Sequence, residues 1–410
     1  MATDNKNKVL NVPLLRFPEF TDEWKESVLS DFVERVKRKN KNNLCKLPLT
    51  ISAQYGLVDQ ISFFNKVIAS ENMSNYYLLH KGDFAYNKSY SSEYPWGAIK
   101  RLDCYEQGTL SSLYICFKPY SHVSSDFLTH YFETSKWHQG ISEIAVEGAR
   151  NHGLLNVGIQ DFFETRHCLP QSLLEQEKIA KFLNLIEERI ATQNKIIEKY
   201  ESLIQAMCDT LIESEQHKVE LAFSDFGKSY SGLSGKSAED FGEGCPYITY
   251  MNVYQNQIIN ATNVGLVKIN GAEQQSVVHY GDILFTLSSE TAEEVGIGAV
   301  YLGDTYPLYL NSFCFGIHII DDNKIFPPFL AFYVSTKSFR KVVFPLAQGS
   351  TRFNLQKNDF MKKGFSFPTV ERQRKIYSAL KTYSDKLAVE KSIAKLLCKQ
   401  KNHLLSKLFI

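Results

Sequence analysis

The sequence of 410 residues lacks the long apolar segment of a membrane-spanning helix, because no apolar run approaches roughly 20 residues. Its eight cysteines form no Cys-x-x-Cys pair. That absence argues against a zinc site or a disulfide framework and is typical of reduced thiols in a cytoplasm. The polar start, Met1 to Leu10, lacks the apolar core of a signal peptide. We therefore expect a cytoplasmic protein without a metal site.

Catalytic motifs are missing as well. Gly232-Leu-Ser-Gly-Lys-Ser237 ends like a phosphate-binding loop, but Tyr230 stands where that motif needs its first glycine, which favours a polar turn. Phe241-Gly-Glu-Gly244 is only faintly similar to the cofactor loop of methyltransferases. Pro327-Pro328-Phe329 is preceded by Phe326, which cannot hydrogen-bond a target adenine as Asn or Asp would. We expect no catalytic residue and no bound cofactor in this chain.

The net charge of +1 gives no indication of a nucleic-acid partner, but the charge is unevenly distributed. Residues 1–170 carry 19 basic and 19 acidic side chains, and residues 216–370 carry 12 and 14. Residues 171–215 carry 5 basic and 9 acidic side chains, whereas residues 371–410 carry 10 and 3. The asymmetry therefore lies in two separate segments, one acidic and one basic.

An internal repeat is the strongest feature of the sequence. Five short motifs recur in the same order at spacings between 194 and 202 residues. The pairs begin at Val28 and Ala222, His80 and His279, Trp96 and Ile297, Phe127 and Phe329, and Glu175 and Arg372. A period this long indicates duplicated domains rather than a solenoid, whose repeats span about 20–50 residues.

Each copy begins with a mixed α/β segment. Short β-rich stretches predict strands at Leu113–Phe117, Tyr247–Tyr250, Gly281–Leu287 and Gly298–Leu302. Helical spacing with a plausible start predicts helices at Asp126–Lys136 and Pro328–Lys337. The order of the strands does not follow from the sequence.

Each copy ends with a heptad helix, preceded by Pro170 or Pro368. At 1.5 Å per residue, each helix could reach roughly 60 Å. The first apolar ladder comprises Ile179, Leu183, Ile186, Ile190, Ile197, Tyr200, Ile204, Met207 and Leu211, interrupted by Gln193. The second comprises Ile376, Leu380, Tyr383, Leu387, Ala394, Leu397, Leu404 and Leu408, interrupted by Glu390 and Lys401.

The two helices are the simplest partners for each other, because one is acidic and the other basic. Gln193 and Glu390 occupy equivalent positions near the middle of their helices, so antiparallel pairing would bring them together and could fix the register. The alternative is that each helix packs only on its own globular domain.

Residues suited to nucleic acid are concentrated in loops. Six basic residues lie between Arg35 and Lys46, interspersed with asparagines, which suits a loop that contacts phosphates and base edges, although a solvated surface loop is an equal alternative. The loops after the two Gly-Asp motifs differ between the copies, as different DNA sequences or neutral drift would produce. The candidate DNA-binding residues are Lys37, Arg38, Lys39, Lys41, Asn42, Tyr86, Lys88, Tyr90, Arg150, Tyr230, Lys236, Ser288 and Arg352.

Taken together, these motifs resemble the specificity subunit of type I restriction-modification systems. The resemblance rests on the Gly-Asp strands, the Gly-Ser-Thr-Arg-Phe-Asn-Leu355 loop, the Leu-Pro and Phe-Pro junctions and the Gln-x-Lys-Ile helix starts. The opening Leu15-Arg-Phe-Pro-Glu-Phe-Thr-Asp-Glu-Trp24 is similar to the usual start of such subunits. The segment from Tyr230 to Val253 is similar to a recurring second domain.

The resemblance implies an α+β fold with two target-recognition domains, 1–168 and 216–367. Each would be followed by a spacer helix, 169–215 and 368–410, and these helices would pair as an antiparallel coiled coil with pseudo-two-fold symmetry. The chain would bind a bipartite, asymmetric site in double-stranded DNA and scaffold two methyltransferase subunits and the restriction subunits. S-adenosylmethionine, Mg²⁺ and ATP would belong to those partners. The alternative is a self-contained methyltransferase or nuclease with tandem recognition domains, and a protein-binding coiled-coil adaptor is a weaker third hypothesis.

Overall fold

The computed structural model describes residues 11–145, 153–259 and 261–410. The chain divides into two compact units. One extends up to Thr192 and also contains Ile393–Ile410, and the other is Gln193–Ser392. Each unit contains one globular domain together with a part of each of two long helices.

The described part of the first domain contains ten short strands and four short α-helices before the first long helix. The strands are β1 (Lys25–Val28), β2 (Val33–Arg35), β3 (Leu49–Ser52), β4 (Gly56–Asp59), β5 (Tyr77–His80), β6 (Phe84–Asn87), β7 (Ala98–Arg101), β8 (Gln107–Leu110), β9 (Ile115–Pro119) and β10 (Arg166–Leu169). The helices are α1 (Gln60–Phe64), α2 (Ser125–Tyr131), α3 (His138–Ile144) and α4 (Ile159–Phe163), and the long helix is α5 (Leu173–Glu213).

The second domain follows α5 with thirteen strands and four short α-helices among the residues that the structure describes. The strands are β11 (Lys218–Ala222), β12 (Gly227–Ser231), β13 (Phe241–Ile248), β14 (Ile258–Ile259), β15 (Gly265–Val267), β16 (Ile283–Thr286), β17 (Ser288–Ser289), β18 (Gly298–Tyr301), β19 (Tyr309–Leu310), β20 (Cys314–Ile319), β21 (Ala347–Gln348), β22 (Phe353–Leu355) and β23 (Gly364–Pro368). The helices are α6 (Tyr250–Gln255), α7 (Pro327–Tyr333), α8 (Lys337–Val343) and α9 (Lys357–Lys362), and the long helix is α10 (Val370–Leu408).

Each domain contains its own antiparallel sheet, and the two sheets have the same topology. The strand order is β2-β9-β6-β7 in the first domain and β12-β20-β16-β18 in the second, where β14 adds a parallel edge strand. The register is the same, because Phe84 pairs with Phe117 and Ile283 pairs with Ile317. In both copies the strand that opens the domain pairs with the strand before the long helix. The sequence repeat is thus a repeat of topology.

A buried glutamine starts each long helix in the same way. Gln176 donates to the carbonyl of Pro170 and accepts from the amide of Ser124, each over 2.8 Å. Gln373 donates to the carbonyl of Pro368 and accepts from the amide of Phe326, again over 2.8 Å. The Gln-x-Lys-Ile motif therefore ties each helix start to its own domain.

The two long helices run antiparallel within each unit. In the first unit, Glu187 forms an ion pair with Lys401 at 2.6 Å. In the second unit, the amide of Gln193 donates to the Glu390 carboxylate at 2.5 Å, and both side chains are 8% exposed. The hydrogen bond from Lys386 and, after it, that from Gln193 lower the pKa of the Glu390 carboxyl.

The residues at the ends of the apolar ladders are buried in the cores of the globular domains and not only between the two long helices. Ile179, Leu183, Leu404 and Leu408 are buried in the core of the first domain. Ile204, Ile376 and Leu380 are buried in that of the second. Helix–helix pairing and packing on the domains therefore occur together, and each domain contacts both helices.

Two expected helices are shorter than their spacing indicated. Within the predicted range Asp126–Lys136 only α2 forms, and within Pro328–Lys337 α7 ends before α8 begins at Lys337. α2 ends at Tyr131 and α7 at Tyr333, where Thr134 and Thr336 each donate a hydroxyl to the tyrosine carbonyl over 2.7 Å. A side-chain donor at this position competes with continuation of the helix.

The predicted strands fall close to β9, β16 and β18, but the expected strand at Tyr247–Tyr250 is partly wrong. β13 ends at Ile248, and Thr249 instead begins α6 by accepting the amide hydrogen of Asn252 over 3.1 Å. Among the described residues, no helix is long and apolar enough to cross a membrane.

Candidate nucleic-acid interface

The last strand residues of β6 and β16 lead to equivalent loops, which we call the loop ends of the domains. In the first domain the loop end comprises Lys88–Tyr90, where the amide of Leu155 donates to the carbonyl of Lys88 over 2.9 Å. In the second it comprises β17 and β22, where the amide of Leu355 donates to the carbonyl of Leu287 over 2.8 Å. In each domain, this backbone pairing places the loop that follows the Gly-Asp motif beside a second segment, which contains Leu155 in the first domain and Leu355 in the second.

A cleft of about 700 Å³ opens at the loop end of the second domain. Its lining combines aromatic rings with polar and charged side chains. The side chains that decide its chemistry are Tyr250, Tyr254, Ser288, Glu294, Phe313 and Arg352.

Hydrogen bonds hold the acidic wall of this cleft in place. The Tyr254 hydroxyl donates to Glu294 over 2.6 Å, and the Ser289 hydroxyl donates to the other carboxylate oxygen over 2.9 Å. Both hydrogen bonds lower the pKa of the Glu294 carboxyl, and the bond from Tyr254 has the larger effect. Tyr250 donates to the carbonyl of Ser288 over 2.9 Å. Glu294 is therefore an ionised and oriented hydrogen-bond acceptor.

The lining of the cleft also carries a cation over an exposed ring. The guanidinium carbon of Arg352 lies 5.3 Å from the ring centre of Phe313, which is 52% exposed. Ser288 lines the cleft with a buried hydroxyl that has no hydrogen-bond partner among the described residues. Arginine pairs with guanine or phosphate, and a carboxylate can accept from the cytosine amino group. The cleft can therefore contact both base edges and the backbone of DNA.

The basic segment of the first domain, residues 35–46, makes part of its contacts within the domain. Arg38 forms an ion pair with Asp83, and Lys39 donates to the carbonyl of Asn75 over 2.9 Å. Lys37, Lys41 and Asn42 are exposed. These three residues remain available for a partner.

This basic segment does not join the loop end in one patch. Arg38 contacts Asp83, which precedes β6, whereas Lys88 follows β6. At about 3.3 Å per residue, those two ends of the strand are roughly 16 Å apart. The candidate residues of the first domain thus form two separate groups.

Three of the predicted DNA-binding residues have buried side chains, against the exposure that the prediction requires. Tyr86 is fully buried in the first core, where its hydroxyl donates to the carbonyl of Trp96 over 2.9 Å. Tyr230 is 9% exposed and donates to Asp282 over 2.8 Å. The Lys236 side chain is 4% exposed and forms an ion pair with Glu273 at 2.6 Å. The two tyrosines are buried because they occupy inward-facing strand positions, and the lysine is covered by its ion pair.

The remaining predicted residues have open or undescribed surroundings. Tyr90 is 49% exposed at the loop end, and Lys88 is half-buried beside it. Arg352 lines the cleft, as does Ser288 despite its burial. Arg150 lies outside the described residues. None of these placements tests a contact with DNA.

The sequence analysis missed the aromatic side of the cleft. Tyr250 and Tyr254 lie one turn apart on α6 with ring centres 6.0 Å apart. The signal was available, because Thr249 followed by Asn252 is a helix-start pattern that places two tyrosines four residues apart on one face. Phe313 and Glu294 have no comparable local signal.

The comparisons with known proteins agree with this picture. Residues 224–397 match the family model of the type I restriction modification DNA specificity domain. The second domain and most of α10 are therefore similar to this family, in agreement with the resemblance found in the sequence. No curated protein matches the chain.

Two solved structures show the same fold over almost the whole chain. One belongs to a study of complex assembly and conformational transition of the type I R-M system, with a TM-score of 0.55, 16% identity and coverage of 94% of this chain and 97% of that chain. The other is the type I restriction-modification S subunit from M. genitalium, with a TM-score of 0.52, 16% identity and coverage of 97% and 99%. The predicted fold class is confirmed.

By its description the matched model is a domain for DNA specificity, so the similarity of residues 224–397 agrees with the DNA-recognition role expected from the sequence.

Proposed function

We propose that the chain binds a bipartite, asymmetric site in double-stranded DNA, with one domain for each half, and scaffolds two methyltransferase subunits and the restriction subunits. The observation that carries this proposal is that the two domains have the same sheet topology but different side chains at their loop ends. Lys88 and Tyr90 occupy the first, and Glu294, Phe313 and Arg352 occupy the second. Different side chains at equivalent positions would select different bases.

Exposed apolar residues on the long helices support the scaffolding role. Leu185 and Leu396 are 56% and 63% exposed in the first unit. Leu203 and Val389 are 43% and 51% exposed in the second. A helix with exposed residues of this size on a charged background suits burial by a partner protein.

In this proposal the reaction chemistry belongs to the partners. S-adenosylmethionine, Mg²⁺ and ATP would be bound by the methyltransferase and restriction subunits. The site of action would be the cytoplasm, where the eight unpaired cysteines would stay reduced.

The test is selection of duplexes from a random library by the complex of this chain with its methyltransferase subunits. The wild-type complex is expected to enrich a two-part motif. Replacing Arg352→Ala should relax the preference at one or two positions of one half, by about 1–3 kcal/mol for a bidentate base contact. The other half should be unchanged.

Lys228→Ala is the matched control, because Lys228 is an exposed basic residue of the same domain outside the cleft. It should leave both halves of the motif as they are. Enrichment of no motif by the wild type, or equal loss in both halves with Arg352→Ala, would contradict the proposal.

A further inference from the structure

A buried carboxylate in the second domain is held without a permanent positive charge. Asp282 is 2% exposed at the start of β16. Among the described residues, its polar partners are the hydroxyl of Tyr230 at 2.8 Å, the backbone amide of His279 at 2.9 Å and the Nδ1 atom of His318 at 2.9 Å. Burial, followed by the nearby Asp282 charge, raises the pKa of Tyr230 well above its ordinary value.

The equivalent carboxylate of the first domain has a different partner. Asp83 is also buried and also accepts the amide hydrogen of the residue three positions before it, His80, over 2.8 Å. There the Arg38 guanidinium forms an ion pair with the carboxylate. The shared strand register places Lys118 where the second domain has His318. The two copies thus share the carboxylate and differ in what neutralises it.

Two imidazoles converge on Asp282 in place of the arginine. One ligand atom from each of His279, Asp282 and His318 lies within 4.8 Å of the others. The two histidine rings have centres 4.8 Å apart. His279 is exposed, and the His318 side chain is 31% exposed, so the group is open to solvent on its histidine side.

We propose that His279, Asp282 and His318 bind one divalent transition-metal ion, for which Zn²⁺ is the best match. Buried carboxylates are stable when they are paired with a cation or coordinate a metal. Two imidazole nitrogens and one carboxylate oxygen form a known zinc ligand set, with bonds of about 2.0–2.2 Å. A tetrahedral ion with such bonds separates its ligand atoms by about 3.4 Å. Ligand atoms that lie within 4.8 Å of one another therefore need to approach by up to roughly 1.5 Å, and the exposed His279 has room to move.

The ion supplies the charge that Arg38 provides in the first domain. It also ties the start of β16 to β20, the central strands of the sheet. Water completes the coordination on the exposed side. The site is independent of the cleft at the loop end, because Asp282 and Ser288 lie at opposite ends of β16.

The test is calorimetric titration of the untagged full-length chain with Zn²⁺ after treatment with a chelator. One ion per chain is expected. Loss of a residue that only hydrogen-bonds a metal ligand weakens metal binding about 10–100-fold. His279→Ala removes a ligand itself and should therefore weaken Zn²⁺ binding by more than that. His403→Ala, at an exposed histidine of α10, is the control and should bind as the wild type does. Absence of saturable binding, or an unchanged affinity in His279→Ala, overturns the proposal.

Thermal unfolding provides a second measurement, the change in Tm that Zn²⁺ causes in each protein. This change can be compared between variants even when their Tm values without Zn²⁺ differ. Zn²⁺ should raise the Tm of the wild type and leave that of His279→Ala and His318→Ala unchanged. If His318 serves only as a protonated partner of Asp282, His318→Ala lowers the Tm while Zn²⁺ shifts the Tm of neither protein. That result also overturns the proposal.

Discussion

His167 lies in the core of the first domain in a neutral form that its hydrogen bonds specify. Tyr131 donates its hydroxyl to Nδ1 over 2.9 Å, and Nε2 lies 2.9 Å from the Thr165 hydroxyl oxygen. Thr165 itself donates to the carbonyl of Phe162 over 2.7 Å. The imidazole thus needs one proton, on Nε2, and burial lowers its pKa to about 4.

This arrangement predicts loss of stability in mild acid. The unfolded chain binds a proton at His167 below its ordinary pKa of about 6.5, whereas the folded chain does so only near pH 4. Stability therefore falls as pH falls between those values. The expected loss from pH 7.5 to pH 5 is about 2 kcal/mol for this residue.

The measurement is urea unfolding followed by tryptophan fluorescence, because all three tryptophans lie in the first unit. In His167→Gln the loss from pH 7.5 to pH 5 should be smaller by about 2 kcal/mol. An equal loss in the variant and the wild type would show that His167 is not held neutral.

At the residue scale, sequence reasoning found charged candidates but could not separate surface from core. Tyr86 and Tyr90 were equivalent in the sequence, yet one is fully buried and the other is 49% exposed. The His279, Asp282 and His318 group was also hidden. Two of its members are 36 residues apart, and only the pairing of β16 with β20 brings them together.

At the element scale, the last turn of α10 and Phe409, which follows it, belong to the core of the first domain. Phe409 is 1% exposed, and its ring contacts Trp24, Phe127 and Tyr131 at centre distances of 6.4, 5.3 and 6.0 Å. The amide of Leu15 donates to the carbonyl of Lys407 over 3.0 Å. The first domain is therefore completed by a segment more than two hundred residues away in the sequence.

Phe409→Ala should lower the free energy of unfolding of the first unit by about 3–5 kcal/mol, the usual cost of a buried phenylalanine. Urea unfolding monitored by tryptophan fluorescence measures it directly. Leu396→Ala, at a 63% exposed position of the same helix, should change stability by less than about 0.5 kcal/mol. Equal effects of the two substitutions would contradict the packing.

The heptad spacing predicted both long helices because periodicity is a local property of a helix. It did not predict where the seam ends, since a buried position has the same pattern whether a helix or a sheet covers it. Ile179 and Leu404 continue the ladder, yet both are buried in the core of the first domain. The Thr134 and Thr336 helix ends were also missed, because a hydroxyl that competes for a carbonyl depends on local geometry.

At the scale of the whole molecule, the repeat was the part of the fold best predicted by the sequence. Colinear motifs imply a shared scaffold, and the matching sheets follow from that. The strand order could not be predicted, because non-local pairing such as β11 with β23 leaves no trace in a local pattern. The loop ends differ in chemistry, and the proposed division of DNA recognition rests on that difference.

The most direct test of this account is a map of methylated adenines in cells that express the complete system. Residues 1–168 would be replaced by the equivalent segment of a type I specificity subunit with a different site. The account predicts a new sequence in one half of the methylated motif and an unchanged other half. A change in both halves, or no change, would contradict the assignment of one half-site to each domain.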